Sequence, residues 1–263
     1  MTFPIIHAVT GVKGRSSKDK GQSNEERTKW RKPGLRPCYL LCPLGFVLCT
    51  SGAGKAVLLL FVLCSAGLAQ LQIARLKYGG GGDWYNDPDA VPNLAKEVNS
   101  RSNIRVSTDE AQVSLLDEKL YQYPLLFMTG HGNISFTDDE VQRLRHFLET
   151  GGFLYADDDY GMDAAFRREM ARVFPNSQLV ELGFDQPIYH QVYQFPNGLP
   201  KIHEHAEGPP HGYGIFVGGR MVVFYTFNTN ISDGWTAAHK DPPEVREQAF
   251  RVGINIVSYF LTN

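Results

Sequence analysis

Two short apolar runs separated by one well-bounded amphipathic stretch constrain this chain more than any other feature. Residues 124–129 (PLLFMT) and 153–156 (FLYA) are almost uninterrupted in apolar side chains, as strands buried on both faces are. Between them, Thr137-Asp138-Asp139-Glu140 has the spacing of a capping box, in which the Thr137 and Glu140 side chains each satisfy a free backbone donor of the other residue. Val141, Leu144, Phe147 and Leu148 then fall on one helical stripe, which Gly151-Gly152 ends. Strand, helix and strand at this spacing form a parallel crossover, the unit of a sheet covered by helices.

The rest of the chain repeats the pattern. Residues 71–78 (LQIARLKY) read as a first strand, with Leu71 and Ile73 inward and a basic outer set. A helix is expected from Pro88 to about Ser100, buried along Val91, Leu94, Ala95 and Val98, followed by a short second strand at 104–107. Asp163 is placed to cap a helix whose face is Phe166, Met170, Val173 and Phe174, ended by Pro175. Gly218-Gly219 joins 213–217 to 221–225 as a hairpin. Asp241-Pro242-Pro243-Glu244 opens a last helix that buries Val245, Ala249, Val252, Ile256 and Phe260. The expected fold is one α/β domain over 70–263: a mostly parallel sheet, helices on both faces and a C-terminal antiparallel hairpin.

The first seventy residues are of another kind. Residues 1–37 carry nine Lys/Arg against Asp19, Glu25 and Glu26 and have no apolar period, which predicts a basic, disordered leader. Residues 38–69 are mostly apolar and interrupted by one charge, Lys55. Lys55, the run 56–63 and the small residues Gly67 and Ala69 before Gln70 read as the parts of a secretory signal, and an uncleaved membrane anchor is the alternative. Either reading exports the body to the periplasm or the exterior, with membrane contact only through 38–69 if uncleaved. A signal this far along the chain leads us to expect a true translation start near Val47. The glycines before Lys55 resemble the end of a P-loop, but Cys49 and Ala56 break the pattern.

Charge and cysteine usage exclude some chemistry. The net charge of −2 conceals an acidic body, since residues from Gln70 onward hold 25 Asp/Glu against 16 Lys/Arg. A body of that sign is a poor ligand for nucleic-acid backbone. Cys38, Cys42, Cys49 and Cys64 all precede the body, so it has no disulfide, no thiolate metal site and no Cys nucleophile.

In open α/β sheets, ligands collect at the carboxyl ends of the strands. Three loops are expected there. The first carries Gly79, Gly80, Gly81 and Gly82 with Asp83, Trp84, Tyr85, Asn86 and Asp87; the second Gly130, His131, Gly132 and Asn133; the third Asp157, Asp158, Asp159, Tyr160 and Gly161. The first lacks the dinucleotide fingerprint, because Trp84 stands where its last glycine belongs. His131, between two glycines, is open to a ligand, and Asp157 and Asp158 at a strand end are candidates for shifted carboxylates. Against these stands the plainer reading of tight turns and an acidic helix start. His203 and His205 share one side of an extended segment, so they are candidate ligands of a divalent transition metal, with His131, His190 or Asp157 as a third. Trp84, Tyr85, Tyr160 and Trp235 are candidate sugar-stacking aromatics. Arg167, Arg168, Arg246 and Arg251 read as ordinary helix-surface charges.

Six segments carry a resemblance. LKYGGGGDWYNDP, TGHGNISFTDDEV, GGFLYADDDYGMD, FDQPIYH, FPNGLPKIHEH and KDPPE together resemble the bacterial family called domain of unknown function 4159. Where many relatives have Asp-Asp-Asn-Tyr-Gly, this chain has Asp157-Asp158-Asp159-Tyr160-Gly161, a carboxylate in place of an amide at 159. The resemblance implies the class I glutamine amidotransferase-like, flavodoxin-like fold and work in an envelope-associated assembly. The nucleophile turn of that fold corresponds to 156–161 here, which has aspartates and no thiol, so glutamine hydrolysis through a thioester is excluded.

Two functions follow. One is a non-catalytic, exported binding module that holds a small molecule, a glycan or an envelope protein on its old active-site rim. The other is a hydrolase of envelope glycan or peptide that activates water with Asp157, Asp158 and His131, or with a metal on His203 and His205.

Overall fold

The computed structural model describes residues 70–263, so the expected leader and apolar segment lie outside the described residues. Seven strands form one sheet: β1 (Ile73–Lys77), β2 (Ala111–Ser114), β3 (Leu125–His131), β4 (Phe153–Tyr160), β5 (Val180–Glu181), β6 (His211–Val217) and β7 (Arg220–Phe227). Their order is β2-β1-β3-β4-β7-β6-β5. The first five in that order run parallel, and β6 and β5 extend the sheet by antiparallel pairing. The fold is therefore α/β with a mostly parallel sheet.

Four helices cover it. Helix α1 (Ala90–Arg101) and helix α4 (Pro243–Thr262) lie on one face, with Val91, Leu94, Val98, Ile254 and Val257 in a core shared with Phe127 and Tyr155. Helix α2 (Asp138–Glu149) and helix α3 (Asp163–Val173) lie on the other, over Leu126, Leu154 and Val223. Adjacent residues of a strand serve opposite cores, which is the two-residue period of a sheet with both faces buried.

Helix α2 begins with the expected capping box: the Thr137 side chain accepts from Glu140 N, and the Glu140 carboxylate accepts from Thr137 N at 2.8 Å. Its four stripe residues are all buried. Gly152 follows because any side chain there would run into the Phe147 ring. In α4, Ala249, Val252 and Ile256 are buried, and Val245 and Phe260 are half-buried against the same core.

Several elements differ from expectation. The second strand is 111–114, and of 104–107 only Val106 pairs, as a single bridge to Leu71. Strand β1 has no basic outer set over its first four residues: Arg75 is buried at 1% exposure. Asp163 is the first residue of α3 and not its cap. Its carboxylate accepts from Arg167 Nε at 2.7 Å and from the Tyr225 hydroxyl at 2.9 Å, while Asp158 Oδ1 accepts from Met162 N at 3.0 Å at the helix entry.

From β1 the chain moves outward to β2, then returns past β1 to β3. That reversal falls between β1 and β3, and the carboxyl ends of the strands at such a switch point are the usual ligand position of doubly wound sheets. Among the described residues, no helix is long and apolar enough to cross a membrane.

Candidate functional site

The loop after β1 is built from inside the protein. Arg75 donates to the carbonyls of Trp84 (3.3 Å), Asn86 (2.6 Å) and Asp87 (2.9 Å), and its Nε pairs with Glu110 at 2.9 Å. A buried guanidinium needs many acceptors, and the loop supplies them. Asp87 is thereby held in a left-handed backbone, φ 48°, with its side chain buried.

The acidic run after β4's apolar half is strand and not loop. Asp157, Asp158 and Asp159 are all buried, contrary to the expected exposed turn. Asp157 was expected at an open rim; instead it accepts from Ser232 N (2.6 Å), Ser232 Oγ (2.7 Å) and Thr226 Oγ1, so it fixes the exit of β7 beneath the surface. Burial raises its carboxyl pKa above the ordinary range. The β3–β4 register slips so that His131 pairs with Tyr160, a bulge that skips Asp159. Asp159 accepts from Asn230 Nδ2 at 2.8 Å and from Asn86 Nδ2, and lies 3.2 Å from His131 Nδ1. Burial raises its pKa, and His131 opposes that shift.

The loop after β7 carries Asn230, also left-handed at φ 55°, and then Asp233 in a short helical turn, Asp233–Trp235. The long connection from β5 to β6 is pinned onto it by Ile202 N and His203 N, which donate to Thr229 O at 3.0 and 3.1 Å. This brings His203 to Asp233: His203 Nδ1 lies 2.9 Å from Asp233 Oδ2, and His203 Nε2 lies 2.9 Å from Asp241 Oδ1. His205 stands edge-on to His203, ring centroids 5.7 Å apart, and packs against Tyr160 at 5.1 Å. On the other side His239 approaches His203 at 5.2 Å; its Nε2 lies 3.0 Å from Asp87 Oδ1 and 3.7 Å from Asp233 Oδ1.

One network therefore runs from Asp83 through His131, Asp159, Asn230 and Asp233 to His203, His205, His239, Asp87 and Asp241. Its carboxylates are poorly compensated. Asp87 Oδ2, Asp233 Oδ1 and Asp241 Oδ2 are buried without a hydrogen-bond partner among the described residues. Burial, with the fields of Asp159, Asp157 and Asp87, pushes the Asp233 carboxyl up to about 9. Burial lowers the His205 pKa, and His203, His131 and His239 act in the same sense, while Asp159 opposes. All four non-glycine residues with left-handed backbone among those described, Asp87, Asn228, Asn230 and Lys240, lie in the loops that build this cluster. Such strain concentrates where structure is held for a purpose. Two sets offer ligand atoms within 4.8 Å of one another: His203, His205 and Asp233, and Asp87, His239 and Asp233.

Beside the cluster lies a cleft of about 400 Å³ lined by Asp158, Tyr160, His205, Phe227, Asn228 and Asn230, among others. Tyr160 is 55% exposed at its edge. His131 is 45% exposed, its Nδ1 3.0 Å from Asp83 Oδ2. Gly130 is required, since its φ is 139° and a side chain there would strike the Tyr78 hydroxyl.

The remaining expected residues take other places. Gly80 sits against the Ser135 backbone, Gly81 faces open space, and Gly132 N donates to Tyr160 O at 3.3 Å. Asn133 braces its loop through Gly80 O and Arg168. Trp84 lies under Lys77, and Tyr85 is exposed. His190 is tied to Phe184 O and Gln194, with no bond to the cluster. Trp235 is core, its Nε1 donating to Ala249 O at 2.9 Å, and is not available to a sugar. Arg168 and Arg246 do more than solvate helices: Arg168 donates to the Asn133 side-chain Oδ1 and the Ile134 carbonyl, and Arg246 to the carbonyls of Gly234 and Trp235.

Sequence reasoning did not single out Asp233, His239 and Asp241, and gave Asp87 no role. The signal was there. Strand β7 runs parallel to β4, so its exit loop belongs to the ligand rim, and the polar run 228–233 follows it directly. Treating β7 as half of a hairpin hid that.

The family model described as "Domain of unknown function (DUF4159)" matches residues 72–261, and the chain belongs to that family. No curated protein matches it.

Proposed function

We propose that this DUF4159 domain is a metal-dependent hydrolase whose centre includes His203, His205 and Asp233. The observation that carries the reading is the convergence of two imidazoles on a carboxylate that is 1% exposed and has one oxygen without a partner among the described residues. A hydrogen-bonded His–Asp network would leave that oxygen desolvated and unpaired, at a cost of about 1–3 kcal/mol. A divalent cation removes the cost. Asp241, on the second nitrogen of His203, fits the carboxylate that orients a ligating histidine.

A cation at this position supplies Lewis acidity and lowers the pKa of bound water. His131 is the proton-transfer group of the reading: it is half-exposed, oriented by Asp83, and joined to the centre through Asp159 and Asn230. The neighbouring cleft offers an aromatic face at Tyr160 and amides at Asn228 and Asn230, which suit a glycan or a peptide. The leader-like residues before Gln70 support an exported, envelope location. The acidic body argues against nucleic acid as partner. The 2-1-3-4 strand order continuing into a fifth parallel strand is that of flavodoxin-like sheets, and supports the amidotransferase-like superfamily.

A binding module without turnover is the second reading. It is favoured by residues 156–161, the end of β4 and the position after it, which carry buried carboxylates in place of a nucleophile. Elemental analysis of the purified protein, with hydrolysis assays on glycan, peptide and ester panels, separates the two. The hydrolase reading expects bound Zn²⁺ or Mn²⁺ that is lost in His203→Ala, together with metal-dependent turnover. Metal without turnover across the panels supports the binding module, and no metal and no thermal shift with any ion removes the centre.

A further inference from the structure

We infer that the rim holds two divalent cations, the second on Asp87 and His239, with Asp233 bridging them. The inference rests on the metal reading above and extends it to a site that no residue of the first ion's histidine pair explains.

The Asp233 carboxylate is the key. Its two oxygens face different imidazoles: Oδ2 lies 2.9 Å from His203 Nδ1, and Oδ1 lies 3.7 Å from His239 Nε2. A carboxylate divided in this way between two nitrogen donors has the form of a bridge. Asp87, His239 and Asp233 offer ligand atoms within 4.8 Å of one another, independently of His205.

The unpartnered atoms mark the same place. Asp87 and Asp233 both belong to this second set, and Asp87 Oδ2, beyond the Asp233 oxygen already counted for the first centre, is buried with no hydrogen-bond partner among the described residues. The two residues are 6% and 1% exposed. Nothing in the first centre would relieve Asp87. Asp87 is also placed at a cost: its backbone is left-handed at φ 48°, and the buried Arg75 holds its carbonyl at 2.9 Å. A residue so constrained, ending in a bare buried oxygen, is built to meet a cation.

The donor set is imidazole plus carboxylate oxygens, which suits Zn²⁺, Mn²⁺ or Fe²⁺ and disfavours soft, thiolate-seeking ions. Two cations sharing a carboxylate stand about 3.5–4 Å apart, the spacing at which a substrate oxygen and a nucleophilic water are held together. Asp159, tied to Asn230 and His131, lies beside the pair and links the exposed imidazole to the loop that carries Asp233.

The test is metal stoichiometry on the full chain, with Mn²⁺ and Zn²⁺ as probes. Equilibrium dialysis with elemental analysis should find two ions per chain. His239→Ala and, independently, Asp87→Asn should each leave one, with circular dichroism reporting that the fold is intact. The Mn²⁺ form should show the electron spin resonance of an exchange-coupled pair, and each variant that of an isolated ion. One ion in the unmodified protein, unchanged by either substitution, overturns the second site and leaves the first. Two ions that survive both substitutions overturn the assignment to Asp87 and His239. No ion at all overturns the reading on which the inference rests.

Discussion

Residues 153–156 and 157–159 lie on the same strand at the same depth, yet one half is apolar core and the other is three carboxylates. In the first half, Phe153 and Tyr155 serve the α1/α4 core, and Leu154 and Ala156 serve the α2/α3 core. In the second half the alternation continues with a different purpose. Asp157 and Asp159 point toward the loop after β7 and the histidines, and Asp158 points toward the start of α3. Burial alone does not distinguish the halves. What distinguishes them is which atoms meet the buried groups: methyl and ring carbons in one, hydroxyls, amides and imidazoles in the other.

The sharpest way to break that contrast is to truncate one residue from each half. Leu154→Ala is expected to cost about 3–4 kcal/mol, through lost burial and a residual cavity, by the same amount with and without added Mn²⁺. Asp157→Ala is expected to cost about 2–3 kcal/mol, because Ser232 N, Ser232 Oγ and Thr226 Oγ1 lose their acceptor. Its cost should grow when metal is present, since the loop it anchors carries Asp233. Denaturant melts at fixed metal concentration read both, and equal metal dependence in the two variants would erase the distinction.

A middle-sized effect tests the charge state of the polar half. Burial first, then Asp157 and Asp163, pushes the Asp158 carboxyl up to about 6 from an ordinary 3.8. Between those values the folded protein holds more proton than the unfolded chain. The contribution is therefore fully present below about pH 4 and falls as pH rises through 6. Asp158→Asn, which keeps the acceptor for Met162 N, should stabilise the protein by about 1–2 kcal/mol near pH 7.5 and leave it unchanged near pH 4. Melting temperatures at the two pH values decide it.

The smallest effect on stability is expected outside both halves. His131→Gln, at a half-exposed position, should shift stability by less than about 0.5 kcal/mol and leave the metal content intact. On the hydrolase reading it should lower turnover by about 100-fold or more. A drop in bound metal instead would make His131 a ligand.

The same contrast explains what the amino-acid order revealed. Helix α2 was legible to its ends because its capping box, stripe and terminal glycines are all local. The apolar half of β4 was legible from hydropathy; its acidic half was not, because nothing local tells a buried acid with distant partners from an exposed one. Asp157's acceptor role depends on Ser232, 75 residues away. Arg75 was misread for the same reason, its acceptors being backbone carbonyls of a loop with no recognisable sequence pattern. Strand β2 was placed too early because 104–107 holds two β-branched residues, while the true edge strand, AQVS, buries only Val113. His203 and His205 could be paired from their spacing, whereas Asp87, Asp233 and His239 share a site only through the topology.

The residues proposed to hold metal come from three stretches, near 87, 203–205 and 233–239, and Arg75 ties the first of these to the interior of the sheet. No nascent or partly collapsed chain can assemble them. On the metal reading, selection among competing ions is deferred until the last strand and helix have docked, and the compartment where the chain finishes folding would choose the ion by supply as much as by affinity.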